Sequence, residues 1–305
     1  MTDWPALPPE ADWRDTRDLL HRTLQMIGKH RLAHAPWLNH SWHATLYPTP
    51  RGLTTGSVHQ RAGGCVVIDV DLRAMQVGAA ADGGALAEFD LRPMSVAEAH
   101  DRVTGMLRAV GADPMIHPRP SELPDATPFA ADDRPRDWDA EAIRAWHGAL
   151  LRIVPVAERF RTGFVGKSSP VHLFWGALDL AVTRFSGREA PPHPGGIPNL
   201  PDVVTREAYS HEVASAGFWP GGDGQEAAFY AYAYPTPDGF AEADVPGTWS
   251  SELGEWLLPY EEVRRADDPA ARLTAFWEAA CAAAARLGDW PDLARPYGVA
   301  GRPGG

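Results

Sequence analysis

Tyr209-Ser210-His211-Glu212-Val213-Ala214-Ser215-Ala216-Gly217-Phe218-Trp219 runs into Pro220-Gly221-Gly222-Asp223-Gly224 and returns through Ala227-Ala228-Phe229-Tyr230-Ala231-Tyr232-Ala233-Tyr234. Residues alternate in character on both sides of a turn rich in glycine, which is the pattern of two antiparallel strands. Tyrosines at period two share one face, where they can line a pocket or cover a sheet. Upstream, Val171 to Val182 is apolar enough for a buried strand, and Ala140 to Val165 is helical in pattern, interrupted by Pro155 and followed by Gly166-Lys167. Downstream, Pro269 to Leu287 is an alanine-rich helix stopped by Gly288.

The first part of the chain repeats this order. Leu19, Leu20, Leu24 and Ile27 have helical spacing within Asp15 to Ile27, and Gly28-Lys29 follows where a helix would stop. Trp42 to Tyr47, Cys65 to Leu72 and Ala85 to Leu91 read as strands, and Ser95 caps a helix that Gly111 ends. The expected fold is α+β, with two similar α-β-β(-β)-α halves around a shared or adjacent antiparallel or mixed sheet. Residues 1–125 form the first half, 126–138 a linker, 139–288 the second half and 289–305 a loose tail. A cleft between the halves is the natural place for their polar residues to converge.

With 28 basic and 40 acidic residues the net charge is -12, which disfavours nucleic acid and anionic lipid. The N-terminal residues show no basic-then-apolar signal and no stretch reaches membrane-spanning length, so a cytoplasmic protein with no membrane partner is expected. Cys65 and Cys281 share no metal-ligand spacing. No nucleotide-cofactor motif, nucleophile elbow or kinase set is present.

The segment from Gly166 to Gly222 concentrates ionisable residues among aromatics, as a lined pocket does. Glu207 and His211 are four residues apart, and His193 in its proline-rich loop offers a third ligand, a set suited to zinc or iron(II). A hydrogen-bonded Glu207-His211 pair is the plainer alternative. His172 with Asp179, and His211 with Glu212, are candidate acid-base residues. Arg184 and Arg188 bracket a turn from which two guanidinium groups could clamp an anion, or pair with nearby carboxylates. His40, His43, Trp175 and Trp219 complete the candidate substrate-binding set. The reaction expected is metal-assisted or His/carboxylate acid-base chemistry on a small anionic or aromatic molecule; ligand capture without turnover is the alternative.

Asn39-His40-Ser41-Trp42-His43, Arg51-Gly52-Leu53-Thr54-Thr55, Ser169 to Gly176, Arg184 to Arg188, His193 to Gly196 and Tyr209 to Val213 together resemble an uncharacterised bacterial family, a domain of unknown function. The resemblance spans nearly everything from Trp4 to Trp290 and implies a shared fold, with no activity attached. Against that family's pattern the chain has Ser41 where an aromatic is usual, and Pro48 and Pro50 would loosen an edge strand.

Overall fold

The structure is a computed structural model describing residues 4–293. The first half consists of α1 (Arg14–His34), the strands β1 (Tyr47–Pro48), β2 (Gly52–His59), β3 (Cys65–Asp71), β4 (Gln76–Ala81) and β5 (Leu86–Asp90), and α2 (Val96–Ala109). The second also opens and closes on helices around a sheet, with α4 inserted among its strands and α5 before its last helix: α3 (Ala140–Thr162), β6 (His172–Phe174), β7 (Asp179–Glu189), α4 (Asp202–Ala208), β8 (His211–Trp219), β9 (Ala228–Tyr234), β10 (Thr248–Ser250), β11 (Glu255–Pro259), α5 (Tyr260–Arg264) and α6 (Pro269–Leu287). Both sheets are antiparallel, ordered β1-β2-β3-β4-β5 and β10-β11-β9-β8-β7-β6. The α+β class is therefore as expected.

The two sheets meet at their first strands. Leu46 and Leu173 exchange backbone hydrogen bonds of 2.9 and 2.8 Å, joining the sheets edge to edge. The first helix of each half then reaches across this seam. His21 Nε2 of α1 lies 2.9 Å from the Trp175 and Gly176 carbonyls beyond β6, and His147 Nε2 of α3 lies 2.9 Å from the Thr49 carbonyl beyond β1. Each adds a side-chain bond from one half to a backbone carbonyl of the other. One apolar cluster runs through both halves, from Leu19 and Val103 to Phe218 and Trp277.

Several local expectations change. The first helix continues past Gly28-Lys29 to His34, because Gly28 lies against the Trp175 indole and any Cβ there would fall inside the ring. Contact, not chain termination, explains that glycine. Asn39–Ala44 is a 3-10 turn with His40 and Ser41 at φ 59 and 57, so the strand expected over Trp42 to Tyr47 shrinks to the two-residue edge β1, in keeping with Pro48 and Pro50. Val171 to Val182 is a hairpin rather than one strand, turned at Leu178 with φ 61. Strands β2 and β4, with their small and polar residues, carried no clear alternation, and β10 and β11 were likewise unread.

The segment Ala126 to Arg136 is no loose linker. Phe129 is fully buried, and Arg136 donates to Asp132 at 2.6 and 3.0 Å and to Asp18 on α1. Of the expected tail, Asp289 to Leu293 is docked, with the Leu293 carbonyl accepting from Val165 N at 2.8 Å and Trp290 packed on the core. The rest of it lies outside the described residues.

Candidate functional site

Strand alternation gives the second sheet two unlike faces. Leu180, Val182, Ala216, Phe218, Phe229 and Leu258 pack against α3 and α6, with Phe160 and Trp277 at the centre. The opposite face carries Thr183, Ser215 and Tyr232 in one row and Ala181, Gly217 and Tyr230 in the next. The Thr183 and Ser215 hydroxyls are 2.9 Å apart, and the Tyr232 hydroxyl is 2.9 Å from that of Tyr209, which follows α4. Tyr230 lies flat over Gly217, where any Cβ would strike its ring, and so reaches across β8 to donate a hydrogen bond to Asp179 on β7.

Two more carboxyls face this cluster. Glu255 begins β11, on the same face as Leu257, which pairs with Tyr230. Glu122 comes from the loop after α2, held by its N–H on the Pro198 carbonyl at 2.9 Å, and lies beside Gly176. Among the described residues neither makes a hydrogen bond or ion pair through its carboxyl, and the one side chain bonded to Asp179 is Tyr230. Burial pushes Asp179 up to about 6 and Glu255 and Glu122 up to about 7, the Asp179 charge adding to the last two. The phenols of Tyr209 and Tyr230 are driven well above their usual range by burial, and Tyr232 to about 12.

A polar stripe of α1 borders one side of this cluster. Gln25 and Lys29 hold Ser121 through contacts of 2.8 and 2.6 Å, and Lys29 Nζ sits 5.0 Å from the Trp175 ring centroid. Burial lowers Lys29 to about 8, with Glu122 opposing. The loop before α4 borders the other side, where His193 stacks on Tyr209 at 4.7 Å and meets Tyr234 at 5.0 Å.

A second group stands on the same face at the Phe185 end of β7, at the seam between the halves. The His40 backbone N–H donates to both Glu207 oxygens at 3.0 and 2.9 Å, and His40 Nδ1 donates to the Ala208 carbonyl at 2.9 Å. Its Nε2 lies 2.7 Å from Lys167 Nζ. The His40 ring packs on Phe185 at 4.5 Å and is 5.8 Å from that of His211. Burial lowers both His40 and Lys167.

The residues picked out from sequence thus fall into three sets. His40, Glu207 and His211 come together from opposite halves. His193, Glu207 and His211 do not form the expected metal triad: among the described residues no group of three or more His, Cys, Asp or Glu could hold a metal ion. Glu207 closes α4 and caps the His40 backbone, while His211 opens β8 with Nδ1 3.0 Å from Ser210 Oγ and His193 Nδ1 accepts from Gly195 N.

The second set points elsewhere. His211 and Glu212 are consecutive in a strand and therefore face opposite ways; Glu212 accepts from Ser186 and Arg188 at 2.6 and 2.9 Å. Arg184 is directed to the helical side, where it holds Glu278 at 2.9 and 3.0 Å and the Phe160 carbonyl, and Arg188 caps α6 at Gly288 and Asp289. No anion clamp is left. His43 turns to Leu38 and Trp37, and Trp175 is buried against α1 with its indole N–H on the Ala44 carbonyl.

The third set lies at or beside the carboxyl and tyrosine cluster. Asp179 is at its centre, paired with Tyr230 and not with His172. His172, 1% exposed among Trp42, Tyr47 and Phe174, has no hydrogen-bond partner for either ring nitrogen among the described residues, and burial lowers it to about 3. Trp219 stands on the polar face next along β8 from Gly217. Glu122, Glu255, Lys29, Lys167 and Tyr209 were missed. One signal was available: of 28 cationic residues only two are lysine, and both reach this face.

No helix among the described residues is long and apolar enough to cross a membrane. Comparison with curated proteins and with solved structures returned no match. A family profile matches residues 4–295, so both sheets, the seam and the polar face all lie within it, and the chain belongs to the family of unknown function DUF5996.

Proposed function

We propose that this protein is an enzyme acting on a small organic molecule held against the polar face of the second sheet, by proton transfer among carboxyl, phenol and imidazole groups. The observation that carries this reading is the trio Asp179, Glu122 and Glu255, gathered around one another with no ion pair to any of them among the described residues. Elsewhere this chain pairs its buried carboxylates with arginine, as Glu10 with Arg14 and Arg17 and Asp132 with Arg136. Stability alone gives no reason to leave three carboxyls unpaired, since desolvating them is costly. Groups that titrate near neutrality suit both donation and acceptance of protons.

The same inventory narrows the ligand. With Arg184 and Arg188 committed to α6, no guanidinium among the described residues is paired with these carboxyls to receive an anion. A neutral or cationic molecule with a flat or apolar part fits the carboxyls and the Tyr209, Tyr230 and Tyr232 rings.

Wild-type protein and Asp179→Asn, checked for equal circular dichroism, can be incubated with pools of neutral and cationic metabolites and followed by mass spectrometry. Consumption by wild type that falls by about a hundredfold or more in Asp179→Asn is expected for loss of a general acid-base group. Equal consumption by both proteins contradicts the role of Asp179, and compounds bound but unchanged by both return the site to ligand capture.

A further inference from the structure

The chain satisfies its cationic needs with arginine almost everywhere, yet keeps lysine at positions 29 and 167. Lys29 is a buried wall residue hydrogen-bonded to Ser121. Lys167 is different: it is exposed, and its amine faces a histidine in place of a carboxylate.

We propose that Lys167 is a nucleophilic amine that forms an imine with small aldehydes or ketones, with His40 Nε2 as the base that takes its proton. For its substrate class this rests on the enzyme reading of the same face; the reactivity of the amine is testable separately.

The geometry fixes the proton direction. His40 Nδ1 donates to the Ala208 carbonyl at 2.9 Å, which leaves Nε2 as the acceptor facing Lys167 Nζ at 2.7 Å. His40 is 4% exposed; its ring is held by the Nδ1 bond to Ala208 and packing on Phe185, and its backbone N–H is held by both oxygens of Glu207 at 3.0 and 2.9 Å, with φ 59. A left-handed histidine held on three sides is positioned strain of the kind found at sites. Around the amine stand the rings of Phe185 and Trp42, at 4.9 and 5.3 Å. Among the described residues no carboxylate pairs with it, and the Glu207 carboxylate, which favours the charged form, is taken up by the His40 backbone. Burial of the amine between the rings works the other way and lowers it. Arginine could fill none of these roles, because its guanidinium stays protonated.

The step balances without a redox partner. The Lys167 ammonium gives one proton to His40 Nε2, and the freed lone pair attacks the carbonyl carbon as the C=O π pair moves to oxygen. A proton shifts from nitrogen to that oxygen, the His40 imidazolium supplies a second, and the C–O bond breaks to release water. The nitrogen lone pair closes the C=N bond, leaving a protonated imine on Lys167 and a neutral His40. Attack of water reverses it.

With only one other lysine in the chain, the test is clean. The folded wild-type protein is treated with limiting trinitrobenzenesulfonate from pH 6 to 10, and the extent at Lys167 is read by peptide mass mapping against N-acetyl-lysine in the same tube. Lys167 is expected to react at least about tenfold faster than the reference at pH 7, with its midpoint below that of the free amine. His40→Gln should return the rate to the reference, and propionaldehyde with cyanoborohydride should leave a reduced adduct at Lys167 that Lys167→Arg lacks. A wild-type Lys167 with the reference rate and midpoint overturns the proposal, and that result does not depend on whether His40→Gln folds. Fast trapping at Lys167 alongside metabolite consumption that ignores Asp179→Asn would leave this proposal standing while removing the carboxyl mechanism.

Discussion

At the residue scale, the polar face depends on positions where a side chain is absent or a proton is retained. Gly217 is one: Gly217→Ala should push Tyr230 off Asp179 and force β8 away from the Leu180 carbonyl, seen as loss of the hydrogen-bonded phenol signal by proton NMR together with a lower melting temperature. Glu255 is another. Its folded value of about 7 stands above the unfolded 4.5, so the native state holds a proton that the unfolded chain releases, and stability is lost as pH rises from about 4.5 to 7. Glu255→Gln should therefore be more stable than wild type at pH 8, by up to about 3 kcal/mol, and equal to it at pH 4 in urea melts. His21 runs the other way. Burial lowers it to about 4 against 6.5, so its contribution is complete above pH 6.5 and is lost as pH falls toward 4.

At the element scale, α6 is docked by charge as well as by apolar contact. Arg184 on β7 is 5% exposed and its partner Glu278 43%, so Arg184→Met removes a half-solvated ion pair and the bond to Phe160, and should cost about 2 kcal/mol by denaturant titration. A loss under about 0.5 kcal/mol would mean that apolar packing alone seats the helix. These elements also show what a sequence can disclose. Helix α6, bounded by Asp268 and Gly288, and the hairpin of β8 and β9 carry local signals and were legible nearly to the residue. The direction of Arg184 was not, because parity alone leaves open which face of a strand is covered by helices. Nor was the metal triad testable on spacing: a turn between Glu207 and His211 separates a helix end from a strand start and sends the two side chains to different partners. Glu122 and Glu255 come from a loop and from a short strand with no sequence signal of its own, and only the folded topology brings them to Asp179.

At the scale of the whole molecule, the two halves share one core and are stitched by Leu46, Leu173, His21 and His147. Unfolding should be a single transition, with calorimetric and van't Hoff enthalpies in agreement; two resolved transitions would show that the seam is weaker than either half. The seam places His40 of one half on Lys167 and Glu207 of the other, and leaves the polar face of the second sheet bounded by both. The most direct test of that face as a small-molecule site is a crystal structure soaked with a fragment library of neutral and cationic compounds. The account predicts fragments against Tyr209, Tyr230 and Tyr232 within hydrogen-bond reach of Asp179, Glu122 or Glu255; fragments that settle elsewhere and leave this face untouched would contradict it.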